Sequence, residues 1–466
     1  MIEGDMGRSG AFRLGGRSEF GATLSIAVLL AAWGVPLAPA YGNDGTDGVQ
    51  VSEGPQPPEQ VAQAAIEVPS RITTVPRGQT VEERRRPDLD PLGVQVGTFT
   101  LLPSIGLEEQ YNDNIFATEN NTIDDFITRL LPRARLRSNW NNHSLSVYGN
   151  ADIGRYADNG NEDYEDYTAG ANGRLTILRD TWLQAQVEHQ RRHEDRGSPD
   201  DVGGIEPTIY GATLGQLTGF HRLNRLNFTL SGTVERLDFD DVATGGGGII
   251  NNDDRDRYEM ETSLRVGYEV VPNYEAFVRG GYLKRTYDDI SDNGLDRDNN
   301  GYEIVAGISV DFGGITFGDF FAGYRTQEYD DPALDSVSGP SVGGEITWNV
   351  TPLTTIIGTL SRTIEESTNG DGMGNFASGR FLTAAGVSAQ HELRRNLLLG
   401  ANIGYQNDDY EGISRTDETF RFGVNANYMM YRNLYIRGGY TVRSRDAEIG
   451  TDYVENVVFV RLQAQY

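Results

Sequence analysis

The 466-residue chain contains no cysteine. No disulfide framework supports it, and no thiolate is available to bind a metal or act as a nucleophile. It also lacks the run of about 20 predominantly apolar residues that a membrane-crossing helix needs. Histidine is scarce, at five residues, and no Ser–His pair with a third orienting group can be placed along the chain. Positive charge is in the minority: 40 Lys and Arg stand against 68 Asp and Glu, for a formal charge of −28. Nucleic-acid phosphates would be repelled by such a surface.

Glycine (57 residues) and tyrosine (23) are abundant, against a hydrophobic fraction of only 38%. That mixture is poor for a large soluble core. It suits a barrel in which only alternate strand residues meet lipid while the lumen is polar. At the amino terminus Arg8, Arg13 and Arg17 precede an apolar stretch over 20–37, and Ala38-Pro39-Ala40 follows. A basic region, a short apolar region and an A-x-A site describe a cleavable secretory signal peptide over 1–40, with Tyr41 the first mature residue and Met6 an equally good start. Residues 41–95 hold Pro55-Gln56-Pro57-Pro58, Pro69, Pro76, Pro87 and Pro91 and no sustained periodicity. They read as a flexible, disordered periplasmic segment, with at most a short helix over 61–66. Arg84-Arg85-Arg86 within it is either a solvated charge run or a contact for an anionic partner or the barrel mouth.

Over 96–466 apolar residues recur at alternate positions in stretches of roughly ten, the length a tilted strand needs to cross a bilayer. Leu145/Val147/Gly149/Ala151/Ile153 and Tyr302/Ile304/Ala306/Ile308/Val310/Phe312 are examples. The final strand is the clearest. Val458, Val460, Leu462, Ala464 and Tyr466 share one side, and Phe459, Arg461, Gln463 and Gln465 the other. An aromatic terminal strand of this kind resembles the assembly signal of outer-membrane barrels, read by the barrel-assembly machinery. Eight short turns, from Trp140-Asn141-Asn142 to Arg432-Asn433, alternate with nine longer polar loops, among them Glu194–Pro207, Asn407–Thr416 and Arg445–Asp452. The fold predicted is all-β: a transmembrane, antiparallel, up-and-down barrel of about 18 strands with both termini in the periplasm. A propeller of four short strands per blade fits less well, because each repeat here holds two long strands. Pro132 and Pro340 fall within predicted strands and belong near strand ends or at bulges, since each removes a ladder donor.

The run Arg86-Pro87-Asp88-Leu89-Asp90-Pro91-Leu92-Gly93 leads through Val94–Ser104 to Tyr111-Asn112-Asp113-Asn114-Ile115-Phe116-Ala117-Thr118, Asp125-Phe126-Ile127 and Arg137-Ser138-Asn139-Trp140. This resembles the second outer-membrane β-barrel porin family, found mainly in proteobacteria. The resemblance is strongest over the first two strands and covers essentially the whole barrel. It implies an association with exopolysaccharide synthesis and export machinery, since some members are proposed to translocate polysaccharide.

Pore-lining candidates lie between the apolar positions. Arg129, Arg133, Arg135 and Arg137 share one face of a strand, opposite Phe126, Leu130, Ala134 and Leu136. Arg265, Arg279, Arg285, Arg421, Arg437, Arg443 and Arg461 fall on inferred inner faces, as do Glu188, Glu235, Glu259, Glu261, Glu269, Glu303 and Asp311. Rows of opposite sign would set up a transverse field that orients polar or anionic solutes. Equally, such residues could fill a closed lumen as salt bridges. The ladder Arg129–Arg137 is the best candidate for contact with an anionic solute or polymer.

The long loops carry acidic pairs such as Asp253/Asp254, Asp288/Asp289 and Asp408/Asp409, which are either solvated or hold divalent cations that bridge lipopolysaccharide. Asp296, Asp298 and Asn300 match the first half of a calcium loop, but its twelfth position is Gly307 rather than Glu. Gly339-Pro340-Ser341-Val342-Gly343 fits G-x-S-x-G without the helix a nucleophile elbow needs, and His189 and His193 lack the glutamate of a zinc-protease motif.

No enzyme activity and no cofactor is expected. The expected function is a passive outer-membrane, porin-like conduit for secreted exopolysaccharide, working with periplasmic export proteins. A general diffusion porin for small hydrophilic solutes and a structural or adhesive barrel with a closed lumen are the alternatives.

Overall fold

A computed structural model describes residues 79–291, 293–370 and 373–466. The signal peptide read over 1–40 and the short helix expected at 61–66 lie outside the described residues. Eighteen long strands run in chain order as β1 (Phe99–Asn112), β2 (Asp125–Ser138), β3 (His143–Tyr156), β4 (Tyr164–Leu178), β5 (Thr181–His193) and β6 (Ile209–Leu223). They continue as β7 (Leu226–Phe239), β8 (Arg257–Val271), β9 (Tyr274–Tyr287), β10 (Asn299–Asp311), β11 (Thr316–Tyr329) and β12 (Val337–Thr351). The last six are β13 (Thr354–Glu365), β14 (Gly379–Arg394), β15 (Leu397–Glu411), β16 (Thr416–Tyr431), β17 (Leu434–Ala447) and β18 (Tyr453–Gln465).

Each strand pairs antiparallel with its neighbours in sequence, and β18 returns to β1 with Ser104 opposite Gln465 and Asn112 opposite Val457. The ring is therefore closed. Lipid offers no partner to a backbone N–H or C=O, so closure is what lets a sheet cross a membrane. The foot of β1 extends beyond the end of β18. A short strand, Val94–Val96, pairs there with Phe99–Leu101 and covers the remaining edge.

Alternation divides wall from lumen. On β18 Val458, Val460 and Leu462 point outward at 49%, 58% and 47% exposure, while Phe459 (7%) and Arg461 (2%) point inward. Outward aromatics gather in two bands. Phe126, Tyr258, Tyr302 and Phe420 lie toward the long-loop end, and Trp140, Tyr268, Phe312, Trp348 and Tyr431 toward the short-turn end. Amphipathic rings at two heights match the interfaces of a bilayer.

Six of the eight tight connections are two residues long, such as Pro272-Asn273 and Arg432-Asn433. Asn224 and Asn273 adopt positive φ (57° and 74°), which asparagine tolerates in a tight turn. At five of the turns the register slips by one residue just before the chain reverses, for example between Met429 and Tyr431. A bulge adds the local twist that a two-residue reversal needs.

Three expectations are corrected. Pro132 lies in the middle of β2, not at an end or bulge. The β2–β3 ladder skips Leu131 and Pro132 and resumes in the same register at Arg133–Asn150. Pro340 does sit near a strand end, above the last β12–β13 pair, Val342–Arg362. Second, the loop placed at Asn407–Thr416 is mostly strand, leaving only 412–415 between strands, and the one placed at Arg445–Asp452 is shortened to 448–452. Asp408 points inward and its Oδ1 lies 3.2 Å from Arg380 Nε, so a polar residue that reads as loop is held by a buried partner. Third, residues 79–95 are bonded to the barrel rather than apart from it.

Candidate functional site

Cross-strand register carries one face of each strand around the ring and shows how charge is distributed inside. On β16, β17, β18, β1 and β2 the inward charged residues are mostly arginines: Arg421, Arg437, Arg443, Arg445, Arg461, Arg129, Arg133, Arg135 and Arg137, with Asp417, Glu455, Glu108 and Asp125 among them. On β7 to β12 the inward acids are Glu235, Glu259, Glu261, Glu269, Glu275, Glu303, Asp311, Asp319 and Glu345, set among Arg257, Arg265, Arg279, Arg285 and Arg325. In an eighteen-strand ring β18 stands opposite β9, so the two walls face each other.

Several like charges are directly opposed. Arg421 faces Arg443 and Arg437 faces Arg461 on the cationic wall; Glu235 faces Glu259 and Glu269 faces Glu275 on the acidic one. Such pairs destabilise a sheet unless counter-charges intervene. They do, in a repeated form: one carboxylate between two guanidiniums. Glu108 accepts from Arg129 Nη1 (2.7 Å) and Arg461 Nε (2.9 Å). Glu303 accepts from Arg279 Nη2 (3.0 Å), Arg325 Nη2 (3.1 Å) and Ser341 Oγ (2.5 Å). Glu259 lies against Arg257 Nε (2.7 Å) and Arg285 Nε (3.0 Å). A buried charge persists only when paired and hydrogen-bonded in this way.

Glycine makes room for one further link. Tyr148 on β3 lies across Gly170 on β4 and donates its hydroxyl to Glu188 on β5. A Cβ at position 170 would sit 2.6 Å from the Tyr148 oxygen. Only glycine lets the ring lie flat there.

Both ends of the lumen carry inserted chain. At the loop end the β5–β6 connection, 194–208, crosses the interior. Arg443 Nη1 and Nη2 on β17 donate to Asp195 (3.1 and 3.0 Å), and Tyr453 Oη on β18 donates to the Gly197 carbonyl (3.0 Å). Farther along, Arg380 Nη1 on β14 donates to Asp200 Oδ2 (3.0 Å), and Asn369 Nδ2 donates to the Pro199 carbonyl (3.1 Å). The root of this strap is tied by Arg255 to Glu194 and by Arg196 Nη2 to Glu162 (2.7 Å). Burial disfavours the charged forms of Asp195 and Asp200, but Arg443 and Arg380 outweigh it and hold both below the ordinary carboxylate range. Asp201 behaves oppositely. Burial, aided by nearby Glu194 and Asp195, pushes it up to about 6 despite Arg196 3.6 Å away.

At the turn end, residues 80–90 fold into a small knot against the inner wall. Thr80 and Glu83 cap each other reciprocally: Glu83 accepts from Thr80 N (2.8 Å), and Thr80 Oγ1 accepts from Glu83 N (3.3 Å). Arg86 Nη2 donates back to the Val81 carbonyl (2.8 Å) and outward to Glu392 on β14 (2.8 Å). Val81 N donates to Thr355 Oγ1 on β13 (3.0 Å), Gln390 Nε2 to Glu82 (2.5 Å), Arg432 Nη2 to the Pro87 carbonyl (2.6 Å) and Tyr435 Oη to the Leu89 carbonyl (2.8 Å).

All the named pore-lining candidates fall on inward positions. Arg129, Arg265, Arg279 and Glu188, Glu259, Glu303 are tied into the pairs above or, for Arg265, to Glu275 Oε1 (2.6 Å). Arg133 and Arg135 are the more water-exposed members of the β2 ladder, with Arg135 5.9 Å from the Tyr148 ring. Arg421, Arg437, Glu235 and Glu261 also engage neighbours. Sequence reasoning missed the strap residues Asp195 and Asp200 and the knot at 80–90. Their partners lie far along the chain; no local pattern marks the strap residues, and the Thr80-x-x-Glu83 spacing of a capping box is the one local signal at the knot.

The calcium candidates do not converge. Asp296 Oδ1 accepts from Asp298 N (3.1 Å), Asp298 Oδ1 from Tyr287 N (2.7 Å), and Asn300 Oδ1 from Tyr282 Oη (2.6 Å). Among the described residues no three acidic or histidine side chains form a metal-binding group. Ser341 hydrogen-bonds Glu303 on a continuous strand, and His193 bonds Asp166 (2.9 Å) while His189 bonds Thr213 (2.8 Å).

Structures similar in fold include three from Pseudomonas aeruginosa. OpdK, determined with vanillate, is 11% identical over 78% of this chain and 99% of its own, with a TM-score of 0.41. OpdO is 12% identical over 79% and 98% (TM-score 0.41), and a variant of the ferric enterobactin receptor PfeA is 8% identical over 78% and 80% (0.42). At these scores the likenesses carry no argument about cargo. A comparison with curated proteins finds no match. The family model described as "Putative beta-barrel porin 2" matches residues 86–466, the closed ring together with the end of the knot beneath it, and the chain belongs to that family of outer-membrane barrels.

Proposed function

We propose that this porin-like channel is a passive conduit for secreted exopolysaccharide, with the short turns and the amino-terminal segment in the periplasm, where export proteins deliver the polymer. The observation that carries this reading is the lumen itself. Its inner faces, strand after strand, present hydrogen-bonding and charged groups to a polar, polyhydroxylated strand, while the outer faces are apolar. Carboxylates held between pairs of arginines keep donors and acceptors in fixed places without leaving strong unpaired charge to trap cargo. Porin family membership favours a channel over an enzyme. In this reading the outward face of β18, from Val458 to Tyr466, meets the barrel-assembly machinery, and the acidic loops meet lipopolysaccharide.

Deletion of the gene should abolish or strongly reduce secreted polysaccharide, and complementation should restore it; unchanged polysaccharide removes the export reading. Unitary currents with selectivity among small solutes would then favour the diffusion porin. One observation favours the third reading, a structural or adhesive barrel with a closed lumen: both ends of the lumen hold inserted chain. Absence of channel current in planar bilayers at any voltage would support it.

A further inference from the structure

Glu82 is an acid brought into the lumen from outside the wall. Its carboxylate accepts from Gln390 Nε2 (2.5 Å), and Arg437 and Arg86 are the cations acting on it. Arg437 stands opposite Arg461 and near Arg133, so this carboxylate acts on a guanidinium that two other arginines oppose. The chain that carries it is preshaped. The Thr80–Glu83 capping pair and the Arg86 bonds to Val81 and Glu392 hold one tight turn, with Val81 fully buried against Thr355.

We propose that residues 80–90 are an internal plug whose Glu82 carboxylate occupies a binding site for a carboxylate-bearing saccharide, a uronate, so that cargo and plug compete for Gln390 and Arg437. The saccharide part rests on the conduit proposed above; the competition does not. The physical basis is exchange of like for like. Arg437, opposed by Arg461 and Arg133, has Glu82 and Glu108 as its counter-charges, so departure of the plug removes one of the two, and an incoming carboxylate that takes the place of Glu82 offsets the loss. Burial also raises Glu82 from its ordinary value, and Arg437 only partly offsets this, so the plug's own carboxylate is held below full advantage and can be displaced. Neutral sugars offer no such replacement.

The test uses the detergent-solubilised full chain, with trigalacturonate and maltotriose as probes in titration calorimetry and in planar-bilayer current block. Glu82→Gln should strengthen trigalacturonate binding at least about tenfold and raise open probability, and Arg437→Gln should abolish the binding. Maltotriose should respond to neither. Because the chain has no cysteine, Val81→Cys with Thr355→Cys gives a second arm. Oxidation should lock the plug and block trigalacturonate, and reduction should restore binding. Equal trigalacturonate affinity in the wild type, Glu82→Gln and the oxidised pair overturns the proposal. If acetate competes as well as trigalacturonate, the site reads carboxylate alone and the saccharide assignment falls. Binding that follows the plug without any effect of gene deletion on secreted polysaccharide leaves the plug standing and removes the conduit.

Discussion

Asp200, in the connection between β5 and β6, meets Arg380 on β14, almost diametrically across the ring, with Oδ2 3.0 Å from Nη1. Arg380 is nearly fully buried and also touches Glu365 (3.3 Å) and Asp408 (3.2 Å). One guanidinium therefore holds the strap to the far wall and neutralises two wall acids. Arg380→Ala should destabilise the barrel by about 3–5 kcal/mol, because it strands buried carboxylates. Asp200→Asn should cost less and enlarge the unitary conductance by releasing the strap. Thermal unfolding in detergent and single-channel recording check the two effects.

The strap should also respond to pH. Asp201 is raised by burial from its ordinary 3.8 to about 6, so the docked strap binds a proton that the undocked one releases. Docking stability from this group is fully present below about pH 4 and is lost as pH rises through about 6. Conductance should therefore be lower at pH 5 than at pH 7.5, and Asp201→Asn should flatten the change. An equally steep profile in the variant would show that another group governs it.

Glu303 is the joint of the acidic wall. Glu303→Ala removes the counter-charge of both Arg279 and Arg325 and should cost about 3–5 kcal/mol. Glu303→Gln, which keeps the Ser341 contact, should lie between. Denaturant titration of the folded barrel distinguishes the three proteins.

The exterior has a different penalty. Ile304, 63% exposed and central on β10, is an unremarkable surface residue if the outside meets water, where a charge costs almost nothing. Facing lipid, Ile304→Arg should cost about 2–4 kcal/mol. Equilibrium folding into lipid vesicles measures it.

Charge segregation predicts ion selectivity. Arg133→Glu with Arg137→Glu inverts the ladder on β2 and should move the reversal potential in a salt gradient toward cation preference. No movement would place the current path away from that wall.

Much of this architecture was legible because a lipid-facing strand declares itself residue by residue. The period of two in Tyr302–Phe312 or Val458–Tyr466 reflects which face meets lipid, and that needs no distant partner. Alternating short and long connections then give strand number and topology. The inward positions of Arg129, Arg265 and Glu303 follow from the same parity. Legibility failed where inward residues are polar for reasons of pairing. Asp408 resembles a loop residue until Arg380 is found beside it, as Arg415 and Arg445 are found beside Asp417 on the next strand. Pro132 looked misplaced in a strand interior because a local rule cannot know that the ladder resumes in register on its other side.

Alternation along the chain settles the closed ring, its eighteen strands, its lipid-facing and water-facing sides and the sign of each wall, since side-chain direction in a strand depends only on parity. Folding alone decides what happens inside: that Asp195 and Asp200 reach Arg443 and Arg380, that Glu108 and Glu303 each serve two arginines, and that residues 80–90 enter the lumen. These contacts join positions from about twenty to more than three hundred residues apart. Only closing the cylinder brings their charges within reach of one another.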